Sequence, residues 1–147
     1  AAAAGLSALP GLPAAQATPA VWAFLGRNAA GGKAPLVGKP EHVDELRPGT
    51  VTVHAQLSGA KTWRLRPNPA AWAGPAPQVP ARRLEVCCGT GDLLFVDTGA
   101  WYHETSLPPA AALSLSVARD FATTGGVQPE VSSAQLRVTQ QLCGECL

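Results

Sequence analysis

Thr50-Val51-Thr52-Val53-His54-Ala55-Gln56-Leu57 alternates without a break. On an extended chain Val51, Val53, Ala55 and Leu57 leave one face, and Thr50, Thr52, His54 and Gln56 leave the other. A period of two is the signature of a strand. Pro48-Gly49 before it and Ser58-Gly59 after it supply the turns that end it. The next stretch, Lys61-Thr62-Trp63-Arg64-Leu65-Arg66, repeats the pattern, with Lys61, Trp63 and Leu65 on one face.

The same signal recurs in both directions. Toward the N-terminus, Val21-Trp22-Ala23-Phe24-Leu25 reads as a buried strand, followed by a loop from Gly26 to Lys39. Toward the C-terminus, Pro67 to Pro80 is a proline-rich loop. Leu84 to Cys88 is a short strand, and Gly89-Thr90-Gly91-Asp92 is a turn. Leu93 to Val96 is a buried strand, and Trp101 to Thr105 is another. Past Pro108-Pro109, Leu113, Leu115 and Val117 alternate with Ser114 and Ser116. About eight short strands joined by turns predict an all-β jelly roll or barrel. The 15 glycines and 14 prolines argue against long helices.

The 147 residues make one domain by length. Residues 20–122 carry the strand pattern. Residues 1–19 are uncharged and rich in Ala, Pro and Gly, which suggests a linker or leader remnant without the basic start of a signal peptide. Residues 123–147 form a tail with a short helix expected from Ser132 to Leu142. The absence of methionine, even at position 1, suggests a processed protein, an excised domain or a fragment. A net charge of +1 gives no electrostatic case for nucleic acid or an anionic membrane. No apolar run reaches the roughly 20 residues of a membrane helix, so a soluble chain is expected. Cys87 and Cys88 are adjacent, and the terminal Cys143-Gly144-Glu145-Cys146 reads as unpaired thiols, a fragment edge or half of a zinc site. Neither compartment nor oligomeric state can be read from these features.

The chemistry concentrates in His42-Val43-Asp44 and Trp101-Tyr102-His103. Two residues apart on an extended segment, His42 and Asp44 leave the same face. Joined by His103 they make a 2-His-1-carboxylate set, which holds a metal on one side and leaves positions open. Lys61 shares its face with Trp63 and Leu65, so it points into the core. A buried ammonium needs an anion, and a bound dicarboxylate would supply one; the bland alternative is a side chain reaching back to water. Thr52 and His54 either hydrogen-bond the same ligand or face solvent. Arg119-Asp120 reads as a structural ion pair or a substrate contact.

Taken together, His42-Val43-Asp44, Gln56-Leu57-Ser58-Gly59-Ala60-Lys61-Thr62-Trp63, Gly91-Asp92-Leu93-Leu94-Phe95-Val96 and Trp101-Tyr102-His103 resemble the cupin-like JmjC family of Fe(II)- and 2-oxoglutarate-dependent oxygenases. The resemblance covers about half the chain. It implies a double-stranded β-helix, with Fe(II) held by His42, Asp44 and His103. It also implies that Lys61 grips the far carboxylate of 2-oxoglutarate, and that O2 and a further substrate take part. The chain departs from the family at Asp97-Thr98, where a proline is usual, and in lacking the helices that precede the barrel in larger members. The competing expectation is a non-catalytic cupin-like module that binds metal or a small acid, or serves as a scaffold.

Overall fold

The computed structural model describes residues 15–28, 33–46, 49–71, 83–109 and 113–123. They form eight strands: β1 (Ala15–Arg27), β2 (Leu36–Val37), β3 (Thr50–Ser58), β4 (Lys61–Pro67), β5 (Leu84–Cys88), β6 (Leu93–Val96), β7 (Trp101–Leu107) and β8 (Leu113–Thr123). One 3-10 turn, Pro69–Ala71, follows β4. The expected helix at 132–142, Cys143 and Cys146 lie outside the described residues.

The strands make two four-stranded antiparallel sheets, in the order β1-β8-β3-β6 and β2-β7-β4-β5. The pairs β1·β8, β2·β7, β3·β6 and β4·β5 are mirror images about the β4–β5 connection. That is a long hairpin rolled up on itself, the jelly-roll arrangement expected from the strand count.

Alternation then decides what each sheet turns inward. In the first sheet, Thr52 pairs with Val96 and Asp120, His54 with Leu94 and Ala118, and Gln56 with Ser116. In the second, Lys61 pairs with Cys88, Trp63 with Val86 and Thr105, and Leu65 with Leu84 and His103. These residues line the space between the sheets. One end is apolar: Trp63, Leu65, Val86, Cys88, Leu94 and Val96 form the main cluster, with Leu84 and Trp101 against it. Each apolar side chain of that size contributes about 1.5–3 kcal/mol when fully buried. The other end is polar, lined by His54, Gln56, Lys61, Ser114 and Ser116, all buried. The serine face of β8 therefore points inward, while Leu113 is exposed.

β1 departs from expectation. It starts at Ala15, inside the stretch expected to be linker, and its apolar run is not buried: Val21, Trp22, Phe24 and Leu25 are all exposed, Leu25 at 71%. The cause is position. β1 is the outermost strand of its sheet, with β8 as its neighbour on one side only. Its register shifts between Ala17 and Val21, around Pro19, which has no N–H for the ladder. Ala15 and Ala17 pack on buried Val53 and Phe121.

The β3–β4 turn depends on Gly59, whose φ is +67°. A Cβ there would collide with the Leu113 carbonyl oxygen. Among the described residues, no helix is long and apolar enough to cross a membrane.

Candidate metal centre

The segment carrying His42 and Asp44 is extended but is not part of a regular strand. It joins the second sheet through one isolated bridge, His42 to His103. The His42 N–H donates to the His103 carbonyl at 3.0 Å, and the His103 N–H donates back at 2.8 Å. Gly38 N–H to Thr105 O fixes the segment upstream, and Asp44 N–H to Thr98 O fixes it downstream, both at 3.0 Å.

Thr98 belongs to a turn built by Asp97. The Asp97 carboxylate accepts from the Gly99 and Ala100 N–H groups at 3.1 and 2.9 Å. Burial pushes its pKa up, against those two hydrogen bonds. The turn packs directly under Asp44: a Cβ on Gly99 would stand in van der Waals contact with the Asp44 carbonyl oxygen, at 3.5 Å.

Both imidazoles are oriented by their own backbone. His42 Nδ1 lies 2.7 Å from the Pro40 carbonyl, and His103 Nδ1 lies 3.2 Å from the Trp101 carbonyl. A carbonyl only accepts, so each Nδ1 carries the proton and each Nε2 keeps a free lone pair. Those two nitrogens face one carboxylate: His42 Nε2 is 3.5 Å from Asp44 Oδ1, and His103 Nε2 is 3.7 Å from Asp44 Oδ2. The three donor groups lie within 4.8 Å of one another. Neighbouring donors on a metal with bonds of about 2.1 Å stand about 3 Å apart, so a small contraction closes the set around an ion. Burial holds the His103 pKa below its ordinary value, partly offset by the Trp101 carbonyl and Asp44.

From this triad a line of rings crosses the interior. His42 and His103 have centroids 4.2 Å apart, His103 and Trp63 5.6 Å, and Trp63 meets His54 edge-on at 5.2 Å. His54 is therefore a ring away from the triad and is not one of the grouped metal donors. Burial, then the Lys61 charge, push its pKa down to about 4, against a hydrogen bond to Gln56. Its Nε2 contacts Gln56 Oε1 at 3.2 Å, and Gln56 Nε2 donates to Ser58 O and Ser114 Oγ at 2.7 and 2.9 Å.

Lys61 is 7% exposed and does not reach back to water. Its Nζ donates to Ser116 Oγ at 2.7 Å and lies 4.7 Å from the centre of the Phe24 ring. Among the described residues no carboxylate comes within ion-pairing distance of it. Burial pushes its pKa down to about 8.

Thr52 also faces inward, with its hydroxyl already engaged. It donates to Asp120 Oδ1 at 2.7 Å and meets Thr98 Oγ1 at 3.1 Å, tying β3 to the turn that anchors Asp44. Arg119 and Asp120 do not pair with each other; Arg119 donates to the Thr18 carbonyl at 2.8 Å. Sequence reasoning missed Phe24, Gln56 and Ser116 as lining residues. The alternation of Ser114 and Ser116 with leucines was the available signal, but it does not say which face is inward.

No family model matches the chain, and no curated protein shows significant similarity to it.

Proposed function

We propose that the protein is an Fe(II)- and 2-oxoglutarate-dependent oxygenase, acting as a hydroxylase. The observation that carries the reading is a pairing within one interior. A His-Asp-His donor set offers two free imidazole nitrogens and a carboxylate, and a buried lysine lacks a carboxylate partner among the described residues. That donor set suits Fe(II) and leaves positions open for small ligands. When bound, Fe(II) together with 2-oxoglutarate and O2 supplies the oxidising power for hydroxylation.

The chain's own residues bind, orient and exclude water. His42, Asp44 and His103 would hold the metal. Lys61 would hold the distal carboxylate of 2-oxoglutarate as a point charge, with the Ser116 hydroxyl beside it. Trp63, buried on the inner wall, follows Lys61 on the same face of β4 and meets the His103 ring at 5.6 Å. His54 and Thr52 would act through neighbours: His54 as a neutral ring against Trp63, and Thr52 through the Thr98 turn.

A second reading, a non-catalytic module that binds metal or a small acid, is favoured by one observation. The polar wall is already bonded to itself, Lys61 to Ser116 and Gln56 to Ser114. Succinate formation from 2-oxoglutarate, dependent on Fe(II) and lost in His103→Ala, supports the enzyme. Binding of 2-oxoglutarate without turnover, across candidate substrates, supports the module. Absence of both metal and 2-oxoglutarate binding rejects the two readings together.

A further inference from the structure

The residues just before the two candidate metal histidines, Glu41 and Tyr102, turn away from the interior, and one guanidinium grips both. Arg66 Nε and Nη2 lie 2.9 and 2.7 Å from Glu41 Oε2. The same group stacks 3.8 Å from the centre of the Tyr102 ring. Arg66 and Tyr102 are directly opposed across β4 and β7, and the neighbouring pair is Leu65 with His103. Because successive side chains alternate, what fixes Glu41 and Tyr102 outside also fixes the direction of His42 and His103 inside.

The bridge needs such a grip. The antiparallel pairing of His42 with His103 sets Glu41 opposite Glu104, and like charges directly opposed are destabilising. Three arginines offset them. Arg64 Nη1 donates to Glu104 Oε1 at 3.2 Å. Arg83 Nη2 lies 3.2 Å from Glu41 Oε1 and Nη1 lies 3.8 Å from Glu104 Oε1. The first Arg83 contact is an ion pair outside hydrogen-bonding geometry, since Glu41 Oε1 has no hydrogen-bond partner. Arg83 thus spans Glu41 and Glu104 loosely, whereas Arg66 joins Glu41 by hydrogen bond to the ring of Tyr102, on the other side of His103.

We propose that Arg66, held between Glu41 and Tyr102, is a positioning residue that sets the spacing of His42 and His103. This rests on the reading that His42, Asp44 and His103 hold a metal ion. The Arg66 side chain is 41% exposed while Glu41 is largely covered, and a pair so placed at the surface adds modestly to global stability, so the main effect falls on ligand geometry. Lysine at this position keeps the charge but neither the planar fork nor the flat stacking surface.

The test compares wild type with Arg66→Ala, Arg66→Lys, Glu41→Gln and the Arg66→Ala/Glu41→Gln double variant. Two quantities are read: Co(II) affinity with its visible spectrum, and hydrogen exchange of the His42 and His103 amides in metal-free protein. The expected result is a loss of about tenfold or more in Co(II) affinity, the range for groups that orient metal ligands. The spectrum changes, exchange at the two bridge amides quickens, and the Val53 and Ala55 amides are unaffected. Arg66→Lys recovers little of the loss, and the double variant matches Arg66→Ala, as expected of one coupled unit. Unchanged affinity and exchange in all variants overturn the proposal. So does a uniform quickening of exchange across the sheets, which would mean a general loss of stability. If wild type binds no Co(II), the metal reading fails. The positioning role is then decided by exchange alone: selective loss of protection at the two bridge amides supports it, and unchanged protection overturns it.

Discussion

Lys61 and Ser116 meet across the gap between the two sheets, Nζ to Oγ at 2.7 Å, and that contact is the lysine's one hydrogen bond to a described side chain. A hydroxyl does not neutralise an ammonium. Lys61→Met should therefore cost about 1.5–3 kcal/mol of 2-oxoglutarate affinity, ten- to a hundredfold, while leaving metal affinity unchanged. Stability should hold or rise, because a buried charge disappears. Calorimetry of 2-oxoglutarate binding to the Mn(II)-loaded protein measures this, and equal affinities would remove Lys61 from the site.

The same lysine sets a pH limit. Its pKa in the folded protein is about 8, lowered by burial. Binding of an anion draws on the protonated form, so 2-oxoglutarate affinity should fall as pH rises through about 8. The Lys61→Met variant should bind weakly and without that step. A wild-type titration curve flat from pH 7 to 9 would contradict the assignment.

His54 makes the folded state sensitive to acid. Its folded pKa, about 4, lies below the ordinary 6.5, so the folded chain binds fewer protons than the unfolded chain in between. The stability involved is present above pH 6.5 and is lost as pH falls toward 4, up to about 3 kcal/mol. His54→Phe leaves Gln56 without its donor, so its absolute stability drops, but its urea midpoint should vary less across this window. Parallel curves for the two proteins would sink the idea.

Asp44→Ala should abolish Mn(II) binding, because two neutral imidazoles remain. His54→Ala should keep it, because Trp63 stands between His54 and His103. Isothermal titration of both variants decides whether the ion is held at Asp44 and without His54.

Gly59→Ala should destabilise the fold by about 1–3 kcal/mol or more. It places a side chain at φ +67° and drives its Cβ into the Leu113 backbone. Denaturant melts report the cost, and a neutral substitution would refute the tight β3–β4 turn.

Much of this was legible in the chain because period two is a local signal. It placed Lys61 and Trp63 on the inner face of β4, and it brought out seven of the eight strands; β2 lies in the Gly26–Lys39 stretch read as a loop. The His42–Asp44 pair was legible from its two-residue spacing, and His103 joined it through the Trp101-Tyr102-His103 motif and the resemblance, although His42 sits in a single bridge and not in a strand. The exposure of Val21 to Leu25 was not legible. An apolar run looks the same in a central strand and in an edge strand, and the difference lies in which neighbours the topology provides. The commitment of the Thr52 hydroxyl was hidden for the same reason, since its partners Thr98 and Asp120 arrive from a distant turn and a distant strand.

The mirror-image pairing has a kinetic consequence. Of the paired strands only β4 and β5 are consecutive, and β1 must wait for β8, the last strand described. Loop closure is costly before distant contacts form, so such a chain should fold in milliseconds to seconds, far slower than a helical bundle. During synthesis the Val21–Leu25 run leaves the ribosome long before its partner and stays unpaired. Pulse-labelled exchange during refolding should protect β4 and β5 first and β1 last.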